Sequence, residues 1–115
     1  MAALLQKVRH RDGTRLPAEQ AFAMGTADGG RLLGLDVGRI APGLRADLVG
    51  VDLDHPSLHP PTSLVKNVVY AMSPQAVTDV WVEGRQVVKN QRLTMLDQSD
   101  LMERVRRLTA EWQPA

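Results

Sequence analysis

Histidines are the residues of this chain best suited to bind a metal or move a proton, and the chain has three. His55 and His59 are four residues apart, a spacing that on a helix would place both rings on one face, as in zinc-binding helices. Pro56 and Pro60 argue against a helix here, because proline lacks a backbone N–H and clashes with the preceding turn. His10 lies in a separate polar turn, and a catalytic zinc needs three protein ligands. We therefore predict that His55 and His59 are solvated loop residues and that this chain has no metal ligands.

Three aspartates are the second candidate for chemistry. Asp47, Asp52 and Asp54 bracket a short apolar run and could act as a general acid and base pair. A structural interpretation is simpler, because Asp47 can accept hydrogen bonds in a turn while the other two end a strand. We therefore predict no catalytic residue among them.

The remaining signals argue against cofactors, nucleic acid and membranes. Gly25, Gly29 and Gly30 resemble a phosphate loop in composition only, because no strand leads into them and no glycine-rich nucleotide motif is matched. The 115 residues include 14 basic and 13 acidic side chains, so a formal charge of +1 creates no field for nucleic acid or anionic membranes. Cysteine is absent, and no apolar stretch approaches the ~20 residues of a membrane span. We expect one soluble, cytoplasmic chain that binds no cofactor and buries about two thirds of its unfolded surface.

The elements that would carry these residues begin with helices. Apolar spacing predicts a helix over residues 2–9, and Pro17 suits the first position of a second helix. Thr26 can cap a short third helix, which Gly34 would end.

A turn and a short strand occupy the middle of the chain. Pro42 and Gly43 have the chemistry of a type II turn, and residues 48–51 are too few for a helix and rich in valine. We predict a strand there, covered on both faces. A proline-rich loop over 55–61 and a second strand within 64–72 are expected to follow.

A hairpin about Glu83 and Gly84 is the next prediction, because a two-residue loop of this kind matches the twist of paired strands. Three valines would then share one face of the sheet, with Trp81 on the other. The expected pairs are Val82 with Arg85, Trp81 with Gln86 and Val80 with Val87.

The end of the chain is predicted to form a second turn and a helix. Asn90 and Gln91 would make the turn, and the strand after it would extend to Met95. Asp97 or Ser99 can cap the helix. Its helical spacing predicts a buried stripe of Leu101, Met102, Val105, Leu108 and Trp112.

Together these elements predict an α+β chain with N-terminal helices, a small and mainly antiparallel sheet, a C-terminal helix and no complete barrel. The expected division is helices over 1–35, the sheet over 36–96, and the closing helix and tail over 97–115. The sheet needs a second layer, because at ~25 cal/mol per Å² several exposed valines would cost several kcal/mol. We therefore expect a homo-oligomer, specifically a homodimer. The valines concerned are Val49, Val51, Val80, Val82 and Val87.

Two blocks of sequence carry a family resemblance. They are G-x-I-x-P-G-x-x-A-D-L-V over 38–49 and V-x-V-x-G-x-x-V-V over 80–88. With the stretches around them they resemble the C-terminal part of the amidohydrolase superfamily, in the branch of chlorotriazine hydrolases and of guanine, cytosine and S-adenosylhomocysteine aminohydrolases. Gly25 and Gly30 stand where that family usually has alanines, and Asn90-Gln91 where it usually has Asp-Gly, which we expect to loosen the packing.

The resemblance implies a division of labour between this chain and a longer parent. Family members have a (β/α)₈ barrel with one divalent metal, zinc or iron, and a small β-sandwich built jointly from N- and C-terminal segments. Their metal ligands and acid–base residues lie in the barrel, so the resemblance carries no catalytic or metal-binding residue onto this chain. The implied reaction is attack of metal-activated water on a C–N or C–Cl carbon of a cyclic or heterocyclic substrate.

Three hypotheses follow, of which we favour the first. The chain is a C-terminal fragment or non-catalytic domain of such a hydrolase, inactive alone and completed by a barrel-bearing chain. It is a self-associating structural module whose open sheet is completed by another copy. It is an enzyme in its own right, using the aspartates and His10.

Overall fold

Helices and strands alternate with turns in the computed structural model, which describes residues 2–112. In that range the α+β architecture is confirmed, with one open antiparallel sheet and no closed barrel. The predicted tail over 113–115 lies outside it, and the division at residues 35 and 96 stays a prediction. The helices are α1 (Ala2–His10), α2 (Ala18–Gly25), α3 (Ala27–Leu32), α4 (Leu64–Tyr70) and α5 (Gln98–Thr109), with 3₁₀ turns at Pro56–Leu58 and Pro74–Ala76. The strands are β1 (Leu48–Val51), β2 (Val77–Val82), β3 (Arg85–Lys89) and β4 (Arg92–Leu93).

Lys7 connects α1 to the loop that follows it and to α4. Its ammonium on α1 donates to the carbonyl oxygens of Gly13 at 2.8 Å and Arg15 at 2.7 Å, which holds the loop that leads to α2. The same nitrogen lies 5.9 Å from the centre of the Tyr70 ring on α4, within cation–π range. One side chain thus ties together α1, the following loop and α4.

The strand predicted within residues 64–72 is wrong, because this segment forms α4. Its valines favour a strand locally, but the scale of strand propensity spans only ~1 kcal/mol. Ser63 caps the helix by accepting from the Lys66 N–H at 3.4 Å. Asn67 donates to the Leu58 carbonyl at 2.6 Å, which anchors the helix on the preceding loop. Capping and anchoring therefore decide the conformation.

The sheet has the order β1-β2-β3-β4, and its predicted hairpin is confirmed. Glu83 and Gly84 have φ values of 50° and 78°, as a tight primed hairpin turn requires. Val82 pairs with Arg85 and Trp81 with Gln86 as predicted, but the expected pairing of Val80 with Val87 is wrong. The register shifts at this point, β3 contributes one extra residue, and Val80 lies opposite Val88.

One smaller expectation about a helix cap is corrected. Thr26 precedes α3 without capping it, because its hydroxyl donates back to the Phe22 carbonyl at 2.8 Å. The loosening expected at Asn90 and Gln91 stays a prediction, although Gln91, with φ of 64°, makes two hydrogen bonds. Its N–H donates to Thr78 O at 2.8 Å and its side-chain amide to Gln75 O at 2.7 Å.

The chain buries few of its own apolar side chains. Its accessible surface is 9430 Å², against about 6200 Å² for a compact folded chain of 12.6 kDa. About half of the unfolded surface is therefore buried, less than the predicted two thirds. The radius of gyration of 18.4 Å likewise exceeds the roughly 13 Å of a compact domain. In the described residues the buried hydrophobic side chains are those of Ala3, Ala18, Leu58 and Ala76.

Two predictions about burial are wrong for this reason. β1 is an edge strand and Val49 is 61% exposed, so the strand is not covered on both faces. The α5 stripe is also uncovered, with Leu108 77% and Trp112 76% exposed. Sequence spacing predicts which residues share a face, whereas burial needs a second surface that the described residues do not supply.

Gly25 and Gly30 provide a matched pair of substitutions, because the sequence resemblance leads us to expect alanine at both positions. An added Cβ at Gly25 meets nothing within 4 Å, so Gly25→Ala should raise the free energy of unfolding by about 0.5–1 kcal/mol. At Gly30 a Cβ would lie 2.7 Å from Val37 Cγ2, so Gly30→Ala should lower it by about 1–3 kcal/mol. Urea unfolding followed by circular dichroism measures both. Equal effects would contradict the close packing of α3 against Val37.

Candidate functional site

The three histidines have different structural roles. His10 ends α1 and is exposed, and His59 is exposed in the proline-rich loop, as predicted for His59. The prediction that His55 is solvated is wrong, because it is half-buried and its Nδ1 accepts from the Ser57 N–H at 3.2 Å. It thereby caps the 3₁₀ turn that begins at Pro56, a role that short-range sequence spacing does not distinguish from solvation.

The placement of His, Asp and Glu side chains determines whether the chain can bind a metal ion. Within residues 2–112 no three His, Asp or Glu side chains are grouped as a metal ion would require. The described residues therefore do not fit the single-metal site that the resemblance implies for longer family members.

Asp47 joins the two sequence blocks that carry the family resemblance. Its Oδ1 accepts from the Glu83 N–H at 2.6 Å, at the tip of the β2–β3 hairpin. Beside it the Gly84 N–H donates to Ala46 O at 2.9 Å, and Arg45 pairs with Glu83 at 2.7 Å. The ion pair is exposed and contributes little, so the bonds to the hairpin backbone dominate. Asp47 accepts a hydrogen bond in a turn, as expected, but that turn is the hairpin turn of the 80–88 block and not the turn of its own block.

The other two aspartates end β1, as predicted. The Asp52 N–H donates to Ala76 O at 2.8 Å, and Asp52 Oδ1 accepts from the Asp54 N–H at 3.0 Å. Asp47 precedes β1 and these two follow it, so the structure does not bring the three together as an acid–base pair.

The glycines likewise form no phosphate loop. Gly25 ends α2, while Gly29 and Gly30 lie within α3. A Cβ at Gly29 would lie 2.9 Å from the Met24 carbonyl oxygen, so this glycine allows the two helices to approach closely.

Among residues 2–112, one titratable group has a clearly shifted pKa, and it lies in the turn after α1. Hydrogen bonds from the Thr14 hydroxyl at 2.6 Å and the Thr14 N–H at 2.9 Å lower the pKa of the Asp12 carboxyl, with a smaller effect from Arg15. Asp-Gly-Thr is the sequence signal of this turn. The carboxylate is exposed and shapes the loop that Lys7 holds, so its role is structural.

The strongest candidate for function is an apolar surface on the sheet. In the strand register, Val49 pairs with Val80, Val80 with Val88, and Val88 with Leu93. Because directly paired residues lie on the same face of a sheet, these four side chains form one row across all four strands. Val82 follows Val80 on that face, and we call these five residues the valine face. Its outer members Val49, Val82 and Leu93 are exposed, and β1 leaves its far edge without a strand in the described chain. Such a face with a free edge is typical of a protein interface.

Comparison with known proteins places this surface in context. Residues 1–87 match the model of the Amidohydrolase family. The chain belongs to this family. No helix of residues 2–112 has the length and apolar character needed to cross a membrane.

The relatives are much longer proteins. The chain is 37% identical over 109 residues to a 5-methylthioadenosine/S-adenosylhomocysteine deaminase of Syntrophus aciditrophicus, covering 93% of the chain and 25% of the relative. It is 39% identical over 110 residues to a 5'-deoxyadenosine deaminase of Methanothermobacter thermautotrophicus, covering 96% and 26%. The chain thus spans about a quarter of the length of the relatives it matches.

Solved structures agree with the fold. A zinc-bound adenosine deaminase from Xanthomonas campestris superposes with a TM-score of 0.86 at 32% identity, over 95% of this chain and 25% of that one. Atrazine chlorohydrolase from Arthrobacter aurescens superposes with a TM-score of 0.70 over 81% of this chain and 21% of that one, at 22% identity. The second likeness supports the fold alone.

Substitution of Asp47 tests the junction of the two blocks. Asp47→Ala removes the acceptor of the Glu83 N–H and should lower the free energy of unfolding by about 1–2 kcal/mol. Asp54→Ala is the matched control, because that aspartate is also exposed and lies beyond the other end of β1. Equal stability of the two variants in urea would show that Asp47 does not hold the hairpin.

The Asp12 turn should respond to acid. Because the pKa of Asp12 is lowered in the folded chain, its contribution is present above the unfolded value near 3.9 and is lost as the pH falls through the folded value. Carboxyl chemical shifts followed from pH 6 to pH 2 should show Asp12 titrating below the ordinary range. Thr14→Val should return it toward that range, and a titration unchanged by Thr14→Val would refute the assigned cause.

Proposed function

We propose that this chain is the C-terminal, non-catalytic part of an amidohydrolase-type deaminase, inactive alone and completed by a polypeptide that carries the barrel. The reacting groups would come from that polypeptide. This chain would supply the sheet, the loop-anchored helices and the closing helix. The proposal includes the cytoplasmic setting expected from the sequence.

The uncovered valine face supports the proposal most directly. The chain exposes about 3000 Å² more surface than a compact chain of its mass. Obligate interfaces bury about 2000–5000 Å² summed over both partners, or roughly half of that on each, so the excess on this one chain is at least as large as one side of a permanent interface. The free edge of β1 would accept a further strand beside Val49.

The substrate class follows from what the relatives share. Their names specify deamination of 5-methylthioadenosine, S-adenosylhomocysteine and 5'-deoxyadenosine. These compounds have in common an adenine whose exocyclic amino group is the leaving group. We propose that the completed enzyme replaces that amino group with oxygen from water and releases ammonia from a nucleoside of this class.

Self-association through the same surface is the alternative, favoured by the free β1 edge. A second copy could complete the sheet of the first without any hydrolase role. An independent active site formed by the aspartates and His10 finds no support, because these residues are dispersed among separate turns.

Complementation tests the proposal. The chain should release no ammonia from 5-methylthioadenosine, whereas co-expression with the Syntrophus enzyme truncated before its matching quarter should give a complex that co-purifies and deaminates. Val49→Lys on the valine face should weaken the complex and its activity at least about tenfold, as loss of an interface hot spot does. Thr62→Lys, exposed in a loop, is the matched control.

Two results would contradict the proposal. Turnover by the chain alone would place a reactive centre within it. A truncated enzyme that folds but neither binds the chain nor gains activity would exclude the chain as its missing part, and a valine-face homo-oligomer under the same conditions would favour the self-associating module.

A further inference from the structure

Two Asp-Gly dipeptides occur in this chain, and the structure places them in different settings. Asp12 and Gly13 lie in the turn between α1 and α2, where the glycine is exposed. Asp28 and Gly29 lie within α3. In such a dipeptide the missing Cβ of glycine leaves its main-chain nitrogen open to the neighbouring carboxyl carbon. Both dipeptides are therefore candidates for a reaction between an aspartate side chain and its own backbone.

That reaction converts aspartate to isoaspartate. The glycine nitrogen loses its proton and attacks Cγ of the protonated aspartate carboxyl, water leaves, and a five-membered succinimide forms. Water then adds to the former main-chain carbonyl carbon of the aspartate and breaks the bond from that carbon to the glycine nitrogen. One water leaves and one enters, so the mass is unchanged and no oxidant or reductant is required. The chain then continues through the aspartate side chain, which adds one methylene to the backbone.

Ring closure needs room and a main chain that can rotate, and of the two dipeptides the first offers both. A Cβ added at Gly13 would meet nothing within 4 Å, so this part of the turn is open. At Gly29 it would lie 2.9 Å from the Met24 carbonyl oxygen, and the helix fixes the main-chain dihedrals that would have to rotate. The Asp28 carboxylate is also held by the Arg31 guanidinium at 2.8 Å.

Thr14 restrains the carboxyl of the first dipeptide. Its hydroxyl and its N–H donate to Asp12 Oδ1 at 2.6 Å and 2.9 Å. Both bonds stabilise the ionised carboxylate, whose oxygen is a poor leaving group, and they draw the side chain toward residue 14. The turn is on the surface, where water competes for these bonds and lets them open. The reactive form is therefore accessible, and Thr14 sets how often it forms.

We propose that Asp12 is a modification site at which this chain isomerises spontaneously to isoaspartate, and that Thr14 limits the rate. The added methylene lies between α1, which carries Lys7, and two carbonyl oxygens that Lys7 binds, those of Gly13 and Arg15. Conversion therefore loosens the attachment of the loop to α1. The modification does not involve the valine face, on which the proposed function rests, so the two proposals stand or fall separately.

Incubation of the full chain at mildly acidic pH, followed by peptide mapping with electron-transfer fragmentation, tests the site. Isoaspartate should accumulate at Asp12 and not at Asp28. Gly13→Ala, which the open turn accommodates, should slow conversion severalfold, because the added Cβ hinders attack by the nitrogen. Thr14→Val should accelerate it severalfold, whereas Thr62→Val, at an exposed threonine of another loop, should leave it unchanged.

The effect on the loop can be measured on the isomerised chain, separated from the unmodified chain by ion-exchange chromatography. It should unfold at a lower urea concentration, because the bonds from Lys7 to the loop are lost. Lys7→Met should remove most of that difference, since a chain without this ammonium has no such bonds to lose.

The opposite results overturn the proposal. Equal isoaspartate at Asp12 and Asp28, or none at either while a free peptide of residues 9–16 converts under the same conditions, would show that the turn is not a modification site. A Thr14→Val chain that converts no faster than the Thr62→Val chain would exclude Thr14 as the restraint. Equal urea midpoints of the isomerised and unmodified chains would show that the loop stays attached to α1.

Discussion

A shortage of buried apolar side chains is the constraint on which the rest of this structure depends. Burial is the dominant favourable term in folding, and here Leu58 is the one large side chain buried in the described residues. Hydrogen bonds between secondary-structure elements therefore fix the relative orientation of those elements, as a hydrophobic core usually does. Lys7 holds the first loop, Asn67 holds α4 and Asp47 holds the hairpin. The outcome is a set of positioned surfaces whose apolar faces remain open.

The two blocks that carry the family resemblance position one another. The block that ends at Val49 and the block that begins at Val80 meet through Asp47 and the hairpin tip, and they pair as β1 and β2. Each block positions the other, and together they form the valine face. Under the proposed function, the two blocks would serve the geometry of an interface with the polypeptide that carries the reacting groups.

Local chemistry made part of the fold predictable. The hairpin turn follows from Gly84 and the next turn from Asn90, two residue types that accept positive φ, and the cap of α5 follows from the side chain of Asp97. The strand expected in place of α4 was wrong because Asn67 bonds a distant loop carbonyl, which no local pattern contains. The extra residue Val87 in β3 is similarly invisible, since strand alternation alone does not mark a bulge. In the candidate site, the sequence predicts that Asp47 lies in a turn before β1 and that Asp52 and Asp54 end the strand. It does not predict the row of apolar residues on the sheet, because that row depends on the bulge in β3.

We propose that another polypeptide covers the sheet of this chain. Amide hydrogen exchange of β1 and β4, measured for the chain alone and in a mixture with a folded barrel-bearing polypeptide, tests it most directly. We expect rapid exchange at Leu48–Val51 in the isolated chain, because β1 is an exposed edge strand, and strong protection in the mixture. Protection that is already complete in the isolated monomer, or exchange that the folded partner leaves unchanged, would contradict it.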